Sequence, residues 1–114
     1  MQTVIANIIQ WHKDRNLIEG STDKDQVLKL MQELGELSDH VCKDSHTMLI
    51  ADDLGDMMVV MLNIMHRNNL TIEACLEKAY NSIKDRRGKM VDGIFVKEES
   101  PGDPIPKQLG GKKN

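Results

Sequence analysis

The three prolines of this 114-residue chain all lie after residue 100, at Pro101, Pro104 and Pro106. A proline inside a helix removes a hydrogen bond and clashes with the preceding turn, so the first hundred residues lack the strongest helix breaker. Apolar residues in that stretch recur at three- and four-residue steps, the period of an amphipathic helix. Only Trp11, Tyr80 and Phe95 are aromatic, whereas eight residues are methionine. Sandwiches lean on aromatic and β-branched residues, so this composition disfavours one. It predicts an all-α fold with an aliphatic core of Leu, Ile, Val and Met.

The positions of Val4, Ile5, Ile8, Ile9 and Trp11 predict a first helix over about 3–15, followed by a loop to Asp23. Ser21 or Thr22 can cap a second helix over about 23–43, with Asp23 and Asp25 placed well for its dipole. Val27, Leu30, Met31, Leu34, Leu37 and Val41 keep its helical spacing. A third helix, capped by Asp44 or Ser45, is expected to run to about Asn68, with Ile50, Leu54, Met57, Met58, Met61, Leu62 and Met65 as its apolar positions. Thr71 is expected to cap a fourth, with Ile72, Cys75, Leu76, Ala79, Tyr80 and Ile83 on its inner side and Gly88 as its C-cap. The stretch 90–96 then reads as a hairpin turning at Asp92-Gly93. A domain over 1–97 is thus followed by a Gly-, Pro- and Lys-rich segment, 98–114, with the composition of a flexible tail.

Fifteen Lys and Arg against 18 Asp and Glu give a net charge of −3, which is not the footprint of a nucleic-acid binder. Cys42 and Cys75 have no partner at zinc-site spacing and are too few for a disulfide framework, so two reduced thiols in a cytoplasmic protein are expected. The first eleven residues show neither a positive n-region nor a small-residue cleavage site, so no signal peptide is expected. The longest apolar run, Met57 to Leu62, is far too short to span a bilayer, and no membrane partner is expected.

Helices two and three each carry a polar stripe. Gln26, Lys29, Glu33, Glu36 and His40 share one face of the second, and Asp53, Asp56, Val60, Asn63 and Arg67 one face of the third. Glu33 and Glu36, like Asp53 and Asp56, form i, i+3 pairs of like charge that gain nothing for an isolated helix. The plain reading is two solvated faces. Against it, Gly35 and Gly55 sit inside the pairs, where glycine costs roughly 1 kcal/mol relative to Ala and suggests a close approach. Four carboxylates converging on one volume would need cations, and oxygen-only ligands suit Mg²⁺ or Mn²⁺. His40 on the same stripe reads as a neighbour of the ligands or a solvated residue. Lys78, Asn81, Lys84, Arg86 and Arg87 are either a solvated helix end or the clamp for the outer phosphates of a nucleotide.

The runs Gln26–Leu37, Asp52–Asp56, Asn63 and Lys78–Gly88, taken in order, resemble the MazG-like nucleoside triphosphate pyrophosphohydrolases of the all-α NTP pyrophosphatase superfamily. The family pattern is Glu-x-x-Glu, a spacer, then Glu-x-x-Asp. Glu33 and Glu36 match its first half, and Asp53 and Asp56 its second, with Asp53 one methylene shorter than the family's Glu. Gln32 stands where many members carry another Glu. The similarity covers roughly residues 20–97, and the compact size and the ending after Gly88 are similar to small phage members, which would place the protein in the host cytoplasm.

The resemblance implies a four-helix MazG-like bundle that assembles as a homodimer or a dimer of dimers. It implies Mg²⁺-dependent hydrolysis of a nucleoside triphosphate to the monophosphate and pyrophosphate, with Mn²⁺ able to substitute. Glu33, Glu36, Asp53 and Asp56 would be the metal ligands, and Glu33 or Glu36 would take the proton of the attacking water. Gln26, Lys29 and Asn63 would bind substrate, and the basic set from Lys78 to Arg87 would hold the triphosphate. Trp11 is either the largest core residue or a stacking platform for a base, with Asn16 or the 16–22 loop reading the base's edge and purine dNTPs preferred for their area. The alternative is a non-catalytic helical module that binds a nucleotide or a protein partner.

Overall fold

The computed structural model describes residues 2–98. It is mostly helical, with α1 (Gln2–Asp14), α2 (Asp23–Cys42), α3 (Thr47–Arg67) and α4 (Ile72–Ile83) preceding the strands β1 (Gly88–Val91) and β2 (Ile94–Lys97). The described residues form two compact units, one ending at Leu76 and the other beginning at Glu77, so that the boundary falls inside α4. Apart from Glu98, the expected tail lies outside the described residues.

Local chemistry explains most helix boundaries. The Thr22 hydroxyl accepts from the Asp25 N–H at 3.1 Å and caps α2. Thr71 does the same for Ala74 at the start of α4, also at 3.1 Å. α1, α2 and α3 all end in one motif, in which a residue of positive φ turns the chain and the next N–H reaches back to a carbonyl of the last turn. The turning residues are Asn16, Asp44 and Asn69, at φ 56°, 52° and 57°. The closing bonds are Leu17 N–H to His12 at 2.9 Å, Ser45 N–H to His40 at 2.9 Å and Leu70 N–H to Met65 at 2.8 Å. Asn and Asp tolerate this conformation better than other side-chain-bearing residues.

Asp44 therefore terminates α2 rather than capping α3, and neither it nor Ser45 is the N-cap. That role falls to His46, whose Nδ1 accepts from the Met48 N–H at 3.1 Å. Gly88 likewise does not cap α4, which stops at Ile83. Gly88 opens β1 opposite Lys97, and a Cβ there would lie 2.1 Å from the Val96 carbonyl oxygen, so the strand pairing needs glycine. The hairpin turns at Asp92 and Gly93, both at positive φ, as a two-residue primed turn requires.

In the first unit α3 packs against both α2 and α1. Residues that pair across α2 and α3 run in opposite order, His40 with Asp53 and Asp23 with Arg67, so the two helices are antiparallel. The expected aliphatic core does not form within the described chain. The buried apolar residues are Val60 and Leu62, whereas His12, Gln26, Glu33, Asp53 and Asn63 are buried polar residues. α2 turns its polar stripe toward α3 and leaves Val27, Met31, Leu34 and Val41 exposed. On α4, Ile72 and Cys75 are half-buried, but Leu76, Tyr80 and Ile83 are exposed rather than inner.

Candidate functional site

The two polar stripes face each other between α2 and α3. Asp53 is buried and accepts a hydrogen bond from His40 Nδ1 on its Oδ2 at 2.6 Å. That bond is the main reason the His40 pKa is raised, with Asp53, Asp39 and Glu36 adding attraction and desolvation opposing. His40 is thus the partner of a candidate ligand. Glu33 is 7% exposed. Its Oε2 meets Lys29 Nζ at 3.2 Å, and its Oε1 is buried with no hydrogen-bond partner. A buried carboxylate oxygen without a donor is costly and calls for a cation or a proton.

Asp56 and Glu36 are exposed. The Asp56 pKa is raised, first by desolvation and then by repulsion from Glu33, Asp52 and Asp53, with Lys29 opposing. Asp56 therefore feels Glu33 across the helix pair and Asp53 along its own helix, and Asp52, absent from the sequence-based set, adds to the same field. Among the described residues no three His, Cys, Asp or Glu side chains converge into a group able to hold a metal. The carboxylate oxygens of Glu33 and Asp56 are of the type a hard divalent cation takes, and one buried Glu33 oxygen lacks a donor.

Glu33 and Asp56 line a cavity of about 410 Å³ together with Trp11, His12, Gln26 and Lys29. Trp11 is 44% exposed, so it is not a core residue. Arg15, one turn later, places its guanidinium 4.3 Å from the indole centroid and donates to the Trp11 carbonyl at 3.3 Å. The i, i+4 spacing of Trp11 and Arg15 was a readable signal for that pair. The close approach expected at Gly35 and Gly55 is not found, since a Cβ at either would meet nothing within 4 Å.

The far end of the α3 stripe is occupied differently. Asn63 is 0% exposed; its amide donates to His12 Nδ1 at 3.2 Å and to the Leu17 carbonyl at 3.0 Å. Its Oδ1 is buried without a partner, and the residue faces the 15–22 loop rather than an open cavity. His12 Nε2 lies 2.9 Å from the Val59 carbonyl, which can only accept, so that nitrogen carries the proton. Arg67 bonds the carbonyls of Ile18 and Ser21 and pairs with Asp23 at 2.9 Å. Gln26 donates to Ser21 Oγ at 2.9 Å. Asn16 is the exposed residue that closes α1. Lys78, Asn81, Lys84, Arg86 and Arg87 are exposed and belong to the second unit, and the last three follow the end of α4 instead of riding on it.

The fold and this site define a mostly helical chain with an acidic seam between two antiparallel helices. The chain is similar to an 18.2 kDa protein of the rep-hol intergenic region of Haemophilus phage HP1 (strain HP1c1), at 45% identity over 78 residues, which is 68% of this chain. It spans 46% of that phage protein's length. No protein-family model matches the chain, and no solved structure matches it. No helix among the described residues is long and apolar enough to cross a membrane.

Proposed function

We propose that the chain is a Mg²⁺-dependent nucleoside triphosphate pyrophosphohydrolase of the MazG-like type, acting on the nucleotide pool with purine dNTPs as preferred substrates. The observation that carries the reading is that carboxylates from two helices, Glu33 and Asp56, share one cavity with an exposed tryptophan. A nucleotide needs those two things side by side, a place for phosphate-bound cations and a flat apolar surface for its base.

Glu33, Glu36, Asp53 and Asp56 would hold the metal, with His40 fixing the orientation of Asp53. Mg²⁺, or Mn²⁺ in its place, would neutralise phosphate oxygens and acidify the attacking water. Glu33 or Glu36 accepts the proton as the water oxygen bonds to the α-phosphorus. The bond from that phosphorus to the bridging oxygen breaks, and pyrophosphate leaves. Lys29 offsets charge at the cavity wall, and Gln26 borders the substrate. Self-association as a dimer or a dimer of dimers accompanies this reading. It is supported by the bare apolar face of α2, where each side chain stands to gain on the order of 1 kcal/mol on burial.

The pairing of Asp53 with His40 and of Glu33 with Lys29 favours one second reading, a nucleotide-binding module without turnover. Pyrophosphate release from a panel of NTPs and dNTPs in Mg²⁺ separates the two. Release by the wild type, lost to background in Glu36→Gln and Asp56→Asn, supports the hydrolase. Near-full activity in either variant removes it from the site, and binding without release supports the second reading.

A further inference from the structure

We infer that Asn7 reads the hydrogen-bonding edge of the substrate's base, in a cavity that adjoins the carboxylate cavity at Trp11; this rests on the nucleotide reading above. The second cavity has about 470 Å³ and is lined by Val4, Asn7, Ile8, Trp11, Asp56 and Val59. It shares Trp11, Asp56 and Val59 with the carboxylate cavity, so the two compartments meet at the indole. Lys29 and Glu33 line the first compartment. The second is apolar except for Asp56, where the compartments meet, and Asn7. A nucleotide divides in the same way, with a polyanionic end and a flat base whose faces are apolar and whose edge presents donors and acceptors.

Asn7 precedes Trp11 by four residues on α1, so both side chains project from one face of the helix. Among the described residues the Asn7 amide makes no hydrogen bond. The other amides near the site are engaged or elsewhere: Gln26 donates to Ser21, Asn63 to His12 and Leu17, and Asn16 lines neither cavity. A carboxamide offers both donors and an acceptor, which is what a base edge requires. With the base against Trp11, Val4 and Ile8, Asn7 is the uncharged polar side chain left to tell one base from another. Specificity then belongs to α1 and not to the 16–22 loop.

The test uses the full chain, with Asn7→Ala and Asn7→Asp. Asn7 is exposed on a helix, and alanine is the better helix former, so both variants should fold; circular dichroism checks that. Quenching of Trp11, the one tryptophan, by α,β-methylene analogues of the four dNTPs in Mg²⁺ reads binding without turnover. Pyrophosphate release from the four dNTPs reads kcat/KM. Asn7→Ala should compress the spread of Kd among the bases to within about threefold. Asn7→Asp keeps the shape but only accepts, so it should shift preference toward guanine, whose edge presents two adjacent N–H donors, over the other three bases by about tenfold. Its added charge repels every triphosphate alike and cancels in the ratio. A wild type without spread among the bases, or variants that keep the wild-type order and spread, overturns the assignment to Asn7 alone. A wild type that responds to no analogue and releases no pyrophosphate overturns the nucleotide reading, and the role of Asn7 with it.

Discussion

The two ends of the polar stripe on α3 share one helical spacing and differ in charge and in how many hydrogen bonds they make, although each side leaves one buried oxygen unpartnered, Glu33 Oε1 and Asn63 Oδ1. Toward the C-terminus, Asn63 and Arg67 reach across to α1 and the 15–22 loop, and Arg67 meets three carbonyls and a carboxylate. Toward the N-terminus, Asp53 and Asp56 face Glu33 with too few donors, and a buried Glu33 oxygen has no partner. Polar residues packed between helices are tolerated when they are satisfied, and the first group largely is. The second is held in place by the first and by the rigid helices, in an arrangement that one chain does not relieve by itself. The comparison teaches that the same stripe carries a fastening at one end and an unmet electrostatic demand at the other.

Breaking the fastening should have the largest effect on stability. Arg67→Ala leaves the Ile18 and Ser21 carbonyls without a charged donor and unties the loop, with an expected loss of about 2–4 kcal/mol in urea unfolding. Arg67→Lys, a point charge without the fork, should recover only part of it. An unchanged unfolding midpoint in Arg67→Ala would remove the distinction between the two ends.

A smaller effect is expected at the glycines inside the carboxylate pairs. Gly35→Ala and Gly55→Ala add a methyl that meets nothing within 4 Å and remove a flexible residue from a helix. Each should stabilise the isolated chain by up to about 1 kcal/mol. If a second copy covers that space, as the bare face of α2 suggests, the same variants should instead weaken self-association measured by light scattering.

The smallest effects sharpen the comparison through pH. Hydrogen bonds from Asn68 and Arg67 hold the Asp23 pKa below its ordinary 3.8. Its contribution is therefore present above that value and is lost as pH falls through the lower, folded-state pKa. Asp56 is shifted the other way. Its ionised form opposes folding, and the penalty fades as pH falls through the raised pKa. At pH 7 Asp23→Asn should be less stable than the wild type and Asp56→Asn more stable. The Asp56→Asn difference should shrink first on acidification, and the Asp23→Asn difference should persist to below about pH 3.8. Thermal unfolding from pH 7 to 3 checks both signs.

The helices, the Thr22 and Thr71 caps and the Asp92-Gly93 turn were legible because each rests on a few neighbouring residues. Which face of α2 turns inward was not, since Val27 and Leu34 on one side and Gln26 and Glu33 on the other repeat with the same period. The end of α4 was misplaced because Gly88 satisfies the rule for a helix end as well as for a crowded strand pairing. Of the candidate site, Glu33 with Glu36 and Asp53 with Asp56 were readable as repelling pairs, and the structure brings the charge of Glu33 near Asp56. Asn7 and Arg67 were not readable as site and fastening, because a lone amide or guanidinium on a helix acquires its meaning only from what another element brings opposite it.

The connection between α2 and α3 spans only residues 43–46, whereas the bonds from α1 and the 15–22 loop to α3 join residues 46 to 51 positions apart. Closing the short connection loses little chain entropy, and closing the long one loses more before any contact rewards it. The acidic seam is therefore expected to assemble early, as a local helical hairpin, and α1 to dock on it late. On the reverse path α1 is the natural first element to detach, carrying Trp11 with it while the carboxylates stay paired face to face. The wall that would recognise a ligand is thus the part of the domain with the shortest residence time, and a bound ligand would act as the latch that lengthens it.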